Sequence, residues 1–173
     1  MGQRDTLHIR DARDDERNAV RDATLAAYEE YAAIMPGPAW VGYRRNLLAT
    51  LDAEVPAERI VAERHGAIIG SVLLFPASAN AYSGTTAGVD YPEVRLLAVV
   101  PGARGEGVGA ALMDECARRA RRAGATSLGL HTMDMMRAAV RMYERMGFVR
   151  APDLDFAPAA GMLVKGYRLD LLA

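Results

Sequence analysis

The chain has one cysteine, Cys116, and one lysine, Lys165, in 173 residues. A single cysteine excludes a disulfide framework within the chain, and no CxxC metal-binding pair exists. Charge of one sign is also missing. With 21 basic and 22 acidic side chains the formal net charge is −1, so no bulk basic field is present to hold nucleic acid. The basic residues are otherwise all arginine, which together with the abundant alanine reads as coding bias. Long apolar runs are absent too. The longest, residues 68–76, is interrupted by Gly70 and Ser71 and has the length of a strand, far short of a membrane span. The first 13 residues are polar and lack the apolar core of a signal peptide. These absences predict a cytoplasmic protein that binds neither membrane nor nucleic acid.

What is present is half hydrophobic, 51% of residues, enough for one domain with a substantial core. A single domain over residues 1–173 is therefore expected. Alternation predicts a first strand over 6–12. Asp14 and Asp15 can cap a helix over about 16–35, which the run Met35-Pro36-Gly37-Pro38 stops. A second helix is expected over 40–51. Runs at 58–64 and 67–75, joined by His65-Gly66, predict a hairpin. Residues 77–92 read as a loop. A buried strand over 94–100, a helix over 107–123, a strand over 127–132, a helix over 137–146, a short strand over 148–150, a Pro-rich loop over 152–161 and a strand over 164–171 follow. The strand–helix alternation around 93–150 argues for parallel pairing there, and the hairpin argues for antiparallel pairing elsewhere. The fold class expected is α/β, with a mixed, mostly antiparallel sheet and helices on both faces.

The sharpest local signal is Val99-Val100-Pro101-Gly102-Ala103-Arg104-Gly105-Glu106-Gly107-Val108-Gly109-Ala110, between a buried strand and an amphipathic helix. Glycines let backbone N–H groups converge, and a helix start adds orphan donors and the positive dipole end, which suits a pyrophosphate. A Walker loop needs Gly-Lys-Ser/Thr and is excluded. A dinucleotide fingerprint needs GxGxxG in the first strand–helix unit, whereas here the glycines run GxGxG in mid-chain. The remaining pattern is Arg-x-x-Gly-x-Gly, met by Arg104, Gly107 and Gly109. It resembles the acetyl-CoA pyrophosphate loop of the GNAT superfamily of N-acetyltransferases. The preceding strand, Glu93-Val94-Arg95-Leu96-Leu97-Ala98-Val99, and the later segment from Ala139 through Tyr143-Glu144 to Gly147-Phe148 are similar to two further family motifs in the same order. The resemblance covers roughly residues 7–150.

The resemblance implies a direct transfer of acetyl from acetyl-CoA, as cosubstrate, to an amine. It also implies a splayed pair of parallel strands, with 94–99 as one wall and 128–132 as the other. Leu97, Ala98 and Val99 would line the pantetheine arm, with backbone groups of Leu97 and Val99 pairing with it and the N–H near Leu97 polarising the thioester carbonyl. The amides of Arg104, Gly105, Glu106, Gly107, Val108, Gly109 and Ala110 would hold the pyrophosphate, with the Arg104 side chain adding positive charge. Tyr143 would be the general acid at the leaving thiolate, or else a core aromatic of its helix. Ala139, one turn earlier, would let that helix approach the cofactor. Glu93, eleven residues before Arg104, would be the general base; its other reading is a surface or ion-paired carboxylate, with Arg95 as partner. His131 could be a base or line the acceptor pocket, though a lone strand histidine reads first as structural. Cys116 reads as buried and inert, and Arg118, Arg119, Arg121 and Arg122 as a solvated helix end.

One departure from the family pattern stands out. Met136 occupies a position where the family often has Asn, seven residues before the tyrosine, and Asp134 could cap the helix instead. Acceptor choice would lie in residues 28–43, with Glu29 and Glu30 attracting an amine and Tyr31, Met35 and Trp40 packing on it, and in residues 77–91. The acceptor could be a small molecule or a peptide N-terminus. A non-catalytic acyl-CoA sensor is the alternative; it keeps the loop and needs neither Tyr143 nor Glu93. The family often forms homodimers, but no interface signature is visible here.

Overall fold

The computed structural model describes residues 6–77 and 89–173; most of the loop expected over 77–92 lies outside the described residues. The described chain holds eight strands, mostly antiparallel with one parallel pair, and four α-helices. It divides into two compact units, one of Met1–Leu73 with Leu96–Glu115, the other of Leu74–Arg95 with Cys116–Ala173.

In the first unit β1 (His8–Asp11) pairs antiparallel with β2 (Glu58–Arg64), placing Ile9 opposite Ala62. β2 turns into β3 (Ala67–Phe75) through His65 and Gly66, both at positive φ (52° and 77°), the conformation of a type I′ hairpin. β4 (Glu93–Val99) follows β3 in the sheet order. The core includes Ile60, Val61 and Val72 from the strands and Leu47 and Leu51 from a helix.

The expected single helix over 16–35 is broken in three. Asp14–Glu16 is a 3-10 turn, α1 spans Arg17–Tyr28, and Glu29–Ala33 is again 3-10. Neither Asp14 nor Asp15 caps α1. Glu16 anchors this end instead, accepting from Arg10 at 2.7 and 2.8 Å and from the Arg13 N–H at 2.7 Å. α2 (Gly37–Asp52) begins inside the sequence expected to be a stop, because a proline in the first turn lacks only an N–H that would have no helical partner. α1 packs on β3 through a buried hydroxyl pair, Thr24 and Ser71, 3.2 Å apart. Gly70 allows close packing beside it: a Cβ there would meet the Ala98 carbonyl at 3.0 Å and Val108 and Leu112 side chains at 3.1 Å.

In the second unit β4 pairs in parallel with β5 (Ser127–Thr132), Glu93 opposite Gly129 and Val94 opposite Leu130. β5 pairs antiparallel with β8 (Met162–Asp170) over six residues, and β8 with the two-residue β6 (Val149–Arg150). The Pro-rich segment expected to be a loop contains a strand, β7 (Phe156–Ala159), which pairs with the start of β8. Pro158 obscured it in the sequence, yet a strand paired on one side only tolerates proline. α3 (Val108–Arg122) contributes to both units, and α4 (Arg137–Arg145) precedes β6. Cys116 is fully buried, as expected.

Candidate active site

The glycine segment forms a short 3-10 turn, Pro101–Ala103, then a loop that enters α3 at Val108. Gly105 and Gly107 have φ of 77° and 82°, so residues with a Cβ would be strained at both. A Cβ built on either meets nothing within 4 Å, so the backbone here faces open space that a ligand can approach. The first-turn amides of α3, from Val108, Gly109 and Ala110, have no carbonyl within the helix to bond. A helix start of this kind offers unbonded N–H donors and a positive dipole end, which suit an anion.

The Arg104 side chain is committed elsewhere. Its guanidinium donates to Glu30 Oε2 at 2.6 Å, to the Ala27 carbonyl at 2.8 Å and to the Val99 carbonyl at 3.2 Å. The guanidinium thus ties the start of the loop to the end of α1 and to β4. The C-terminal carbonyls of α1 need donors once the helix ends, and a planar fork meets several at once. The same contact engages one Glu30 oxygen, Oε2, in an ion pair. A second ion pair escaped sequence reasoning: Arg64 on β2 holds Glu106, which offsets a negative charge inside the loop. Nothing in the sequence joins residues so far apart.

β4 carries an irregularity that no pattern announced. Leu96 has φ of 54°, a left-handed conformation that costs a side-chain-bearing residue about 1–3 kcal/mol. Bulge-like residues of this kind concentrate near functional sites. The Leu97 carbonyl that follows accepts the Tyr28 hydroxyl at 3.0 Å. Tyr28 in turn stacks with Tyr43 at 6.2 Å and meets Tyr31 edge-on at 5.7 Å, while Trp40 lies 6.2 Å from Tyr43. With the Leu97 and Val99 carbonyls taking side-chain donors, the strand's amides and its half-exposed Leu97 and Val99 side chains are the better-suited groups for a bound chain. Ala98 is buried.

In the second unit Glu93 is 3% exposed, which rules out the reading as a surface carboxylate. Its Oε2 lies 3.4 Å from Nδ1 of His131, both side chains being almost fully enclosed. His131 Nε2 contacts the Leu154 carbonyl at 2.9 Å and its ring meets Phe156 edge-on at 5.3 Å. Tyr91 covers Gly129, where a Cβ would come within 2.6 Å of its ring. Burial, with the Glu93 charge as a smaller cause, pushes the Tyr91 phenol up. Tyr143 is buried on α4, 5.8 Å from the Phe148 ring, and Ala139 is half-buried one turn before it.

Met136 sits at the N-cap of α4 without a side-chain cap bond, and its sulfur accepts the Thr132 hydroxyl at 3.6 Å. Asp134 does not replace the missing cap; both its oxygens take the Lys165 ammonium at 2.8 Å. Among the described residues no cluster of His, Cys, Asp and Glu suited to a metal ion exists, and no helix is long and apolar enough to cross a membrane.

Residues 18–148 match the sequence model of the Acetyltransferase (GNAT) family. A search of curated proteins finds no match. Among solved structures the chain is similar to a GNAT family acetyltransferase from Brucella melitensis in complex with acetyl-CoA (23% identity, 92% of this chain and 87% of that one, TM-score 0.61). It is also similar to the ribosomal-protein-S18-alanine N-acetyltransferase of Escherichia coli (15%, 96% and 94%, TM-score 0.68). A third is the PaiA N-acetyltransferase of Thermoplasma acidophilum in complex with coenzyme A (13%, 93% and 98%, TM-score 0.68). The glycine loop, the strand before it and the tyrosine helix all fall within the matched residues, and the chain belongs to the GNAT acetyltransferase family.

Proposed function

We propose that this chain transfers the acetyl group of acetyl-CoA to a primary amine, on a small molecule or a peptide N-terminus. The observation that carries the reading is the loop from Arg104 to Val108, whose positive-φ glycines open onto empty space at the start of α3. In this reading its amides, with those of Gly109 and Ala110, bind the pyrophosphate. Arg104 and Arg64 act by shape: one fastens the loop to the end of α1, the other restrains Glu106.

Chemically, the amine lone pair attacks the thioester carbon and forms the C–N bond while the carbonyl oxygen takes negative charge. The Leu97 N–H is positioned by the reading to stabilise that oxyanion. Collapse breaks the C–S bond. The nitrogen gives up its proton to Glu93, and the departing sulfur takes one from the Tyr143 phenol. One proton then passes from Glu93 to Tyr143 through solvent, leaving an amide and free CoA thiol.

Calorimetry with acetyl-CoA and with CoA tests the first half of this reading. Saturable binding in the wild type, abolished in Gly107→Glu, is expected, because the new carboxylate would occupy the phosphate position at a strained φ. A panel of amines then tests turnover. Binding without turnover of any amine, and a Tyr143→Phe variant indistinguishable from wild type, would leave the acyl-CoA sensor. Absence of binding by folded protein would overturn both.

A further inference from the structure

Three groups follow one another in the second unit. The Leu154 carbonyl lies 2.9 Å from His131 Nε2, and His131 Nδ1 lies 3.4 Å from Glu93 Oε2. A carbonyl oxygen can only accept, so Nε2 must carry a proton and donate it. That fixes what faces Glu93. A bare Nδ1 lone pair opposite an ionised carboxylate, with both side chains about 3–4% exposed, would be a buried repulsion. At 3.4 Å the contact is an ion-pair distance that falls short of hydrogen-bond geometry.

The turn that supplies the carbonyl is itself held. Asp155 takes Arg150 at 2.9 and 2.7 Å and the Gly166 N–H at 2.8 Å. A Cβ at Gly166 would strike Leu154 at 2.6 Å, so only glycine on β8 lets the turn sit this close. Through Arg150–Asp155, Leu154 and then His131, the rigid sheet reaches the Glu93 carboxylate.

We propose that His131 is a positioning residue for Glu93. Its Nε2–H is spent on Leu154, its Nδ1–H fixes Oε2, and the other carboxylate oxygen is left to take the amine proton. This rests on the assignment of Glu93 as base, but half of its test does not. In 15N-labelled protein, without any acceptor, the His131 ring should show Nε2 protonated and slow to exchange, with Nδ1 also displaced toward its protonated position. Glu93→Gln should return Nδ1 to a bare-nitrogen signature. A bare Nδ1 unaffected by Glu93→Gln, or a bare Nε2, would overturn the proposal irrespective of the reaction.

The kinetic half uses the best amine found for the wild type. His131→Leu should lower kcat about as far as Glu93→Gln, on the order of a hundredfold, with the KM for acetyl-CoA within about twofold. His131→Asn puts an amide N–H where Nδ1–H stood and should regain most of the loss. In the Glu93→Gln background His131→Leu should cost nothing more. Fully additive losses, or equal losses in the Asn and Leu variants, would show a structural role only. Failure of every amine with the nitrogen signature intact would count against Glu93 as base, not against the pair.

Discussion

The spacing to Gly107 and Gly109 marks Arg104 in the sequence, and in the fold its side chain closes the end of α1. Because three acceptors need a fork, Arg104→Lys should not substitute. We expect it to lose roughly 1–3 kcal/mol of stability, read by urea unfolding, and to weaken CoA binding through a loosened loop. Glu93 and His131 were both visible as candidates, as separate residues. Their contact depends on parallel pairing of β4 and β5, which places Glu93 opposite Gly129, two positions before His131. The Leu96 conformation was illegible, since leucine has no preference for positive φ and only the surrounding strand imposes it.

Among the elements, the strand limits at Glu58–Arg64, Ala67–Phe75 and Ser127–Thr132 were legible in full, because alternation and turn residues are local signals. α1 was misread because its stop comes from tertiary contacts and not from a breaker. Tyr28 ends it with its hydroxyl on β4, and Arg104 takes a carbonyl from its last turn. Tyr28→Phe should cost about 1 kcal/mol in denaturant unfolding, one net hydrogen bond, while keeping the aromatic stack. Gly70→Ala should cost about 1–3 kcal/mol, since backbone at 3.0 Å cannot yield as a side-chain tip can. The β1–α1 corner predicts an acid response. Hydrogen bonds from Arg10, then from the Arg13 N–H, hold Glu16 down from an ordinary 4.5 to about 2. A depressed carboxyl stabilises the fold above its unfolded value and loses that contribution as pH falls from about 4.5 toward 2. Glu16→Gln should therefore flatten the fall of the urea midpoint across that window and lower the plateau above it.

At the scale of the whole molecule, near-neutral charge reflects pairing more than absence. Arg10–Glu16–Glu63, Arg64–Glu106, Arg104–Glu30, Arg150–Asp155 and Lys165–Asp134 each join distant segments or fasten a turn. A ligand that binds only the folded chain must stabilise it. CoA at a hundred times its Kd should add about 2.7 kcal/mol and raise the thermal midpoint, an effect lost in Gly107→Glu. The sequence by itself determined the order of the strands other than β7 and of the four α-helices, the glycine loop at a helix start and the family motifs, because periodicity and glycine spacing act over a few residues. Only the tertiary structure decided which charges Arg104 and Arg64 meet, why α1 ends at Tyr28, that 156–159 forms a strand and that Glu93 faces His131. Each of those depends on residues far apart in the chain competing for one buried or half-buried partner, and no local pattern records the outcome of that competition.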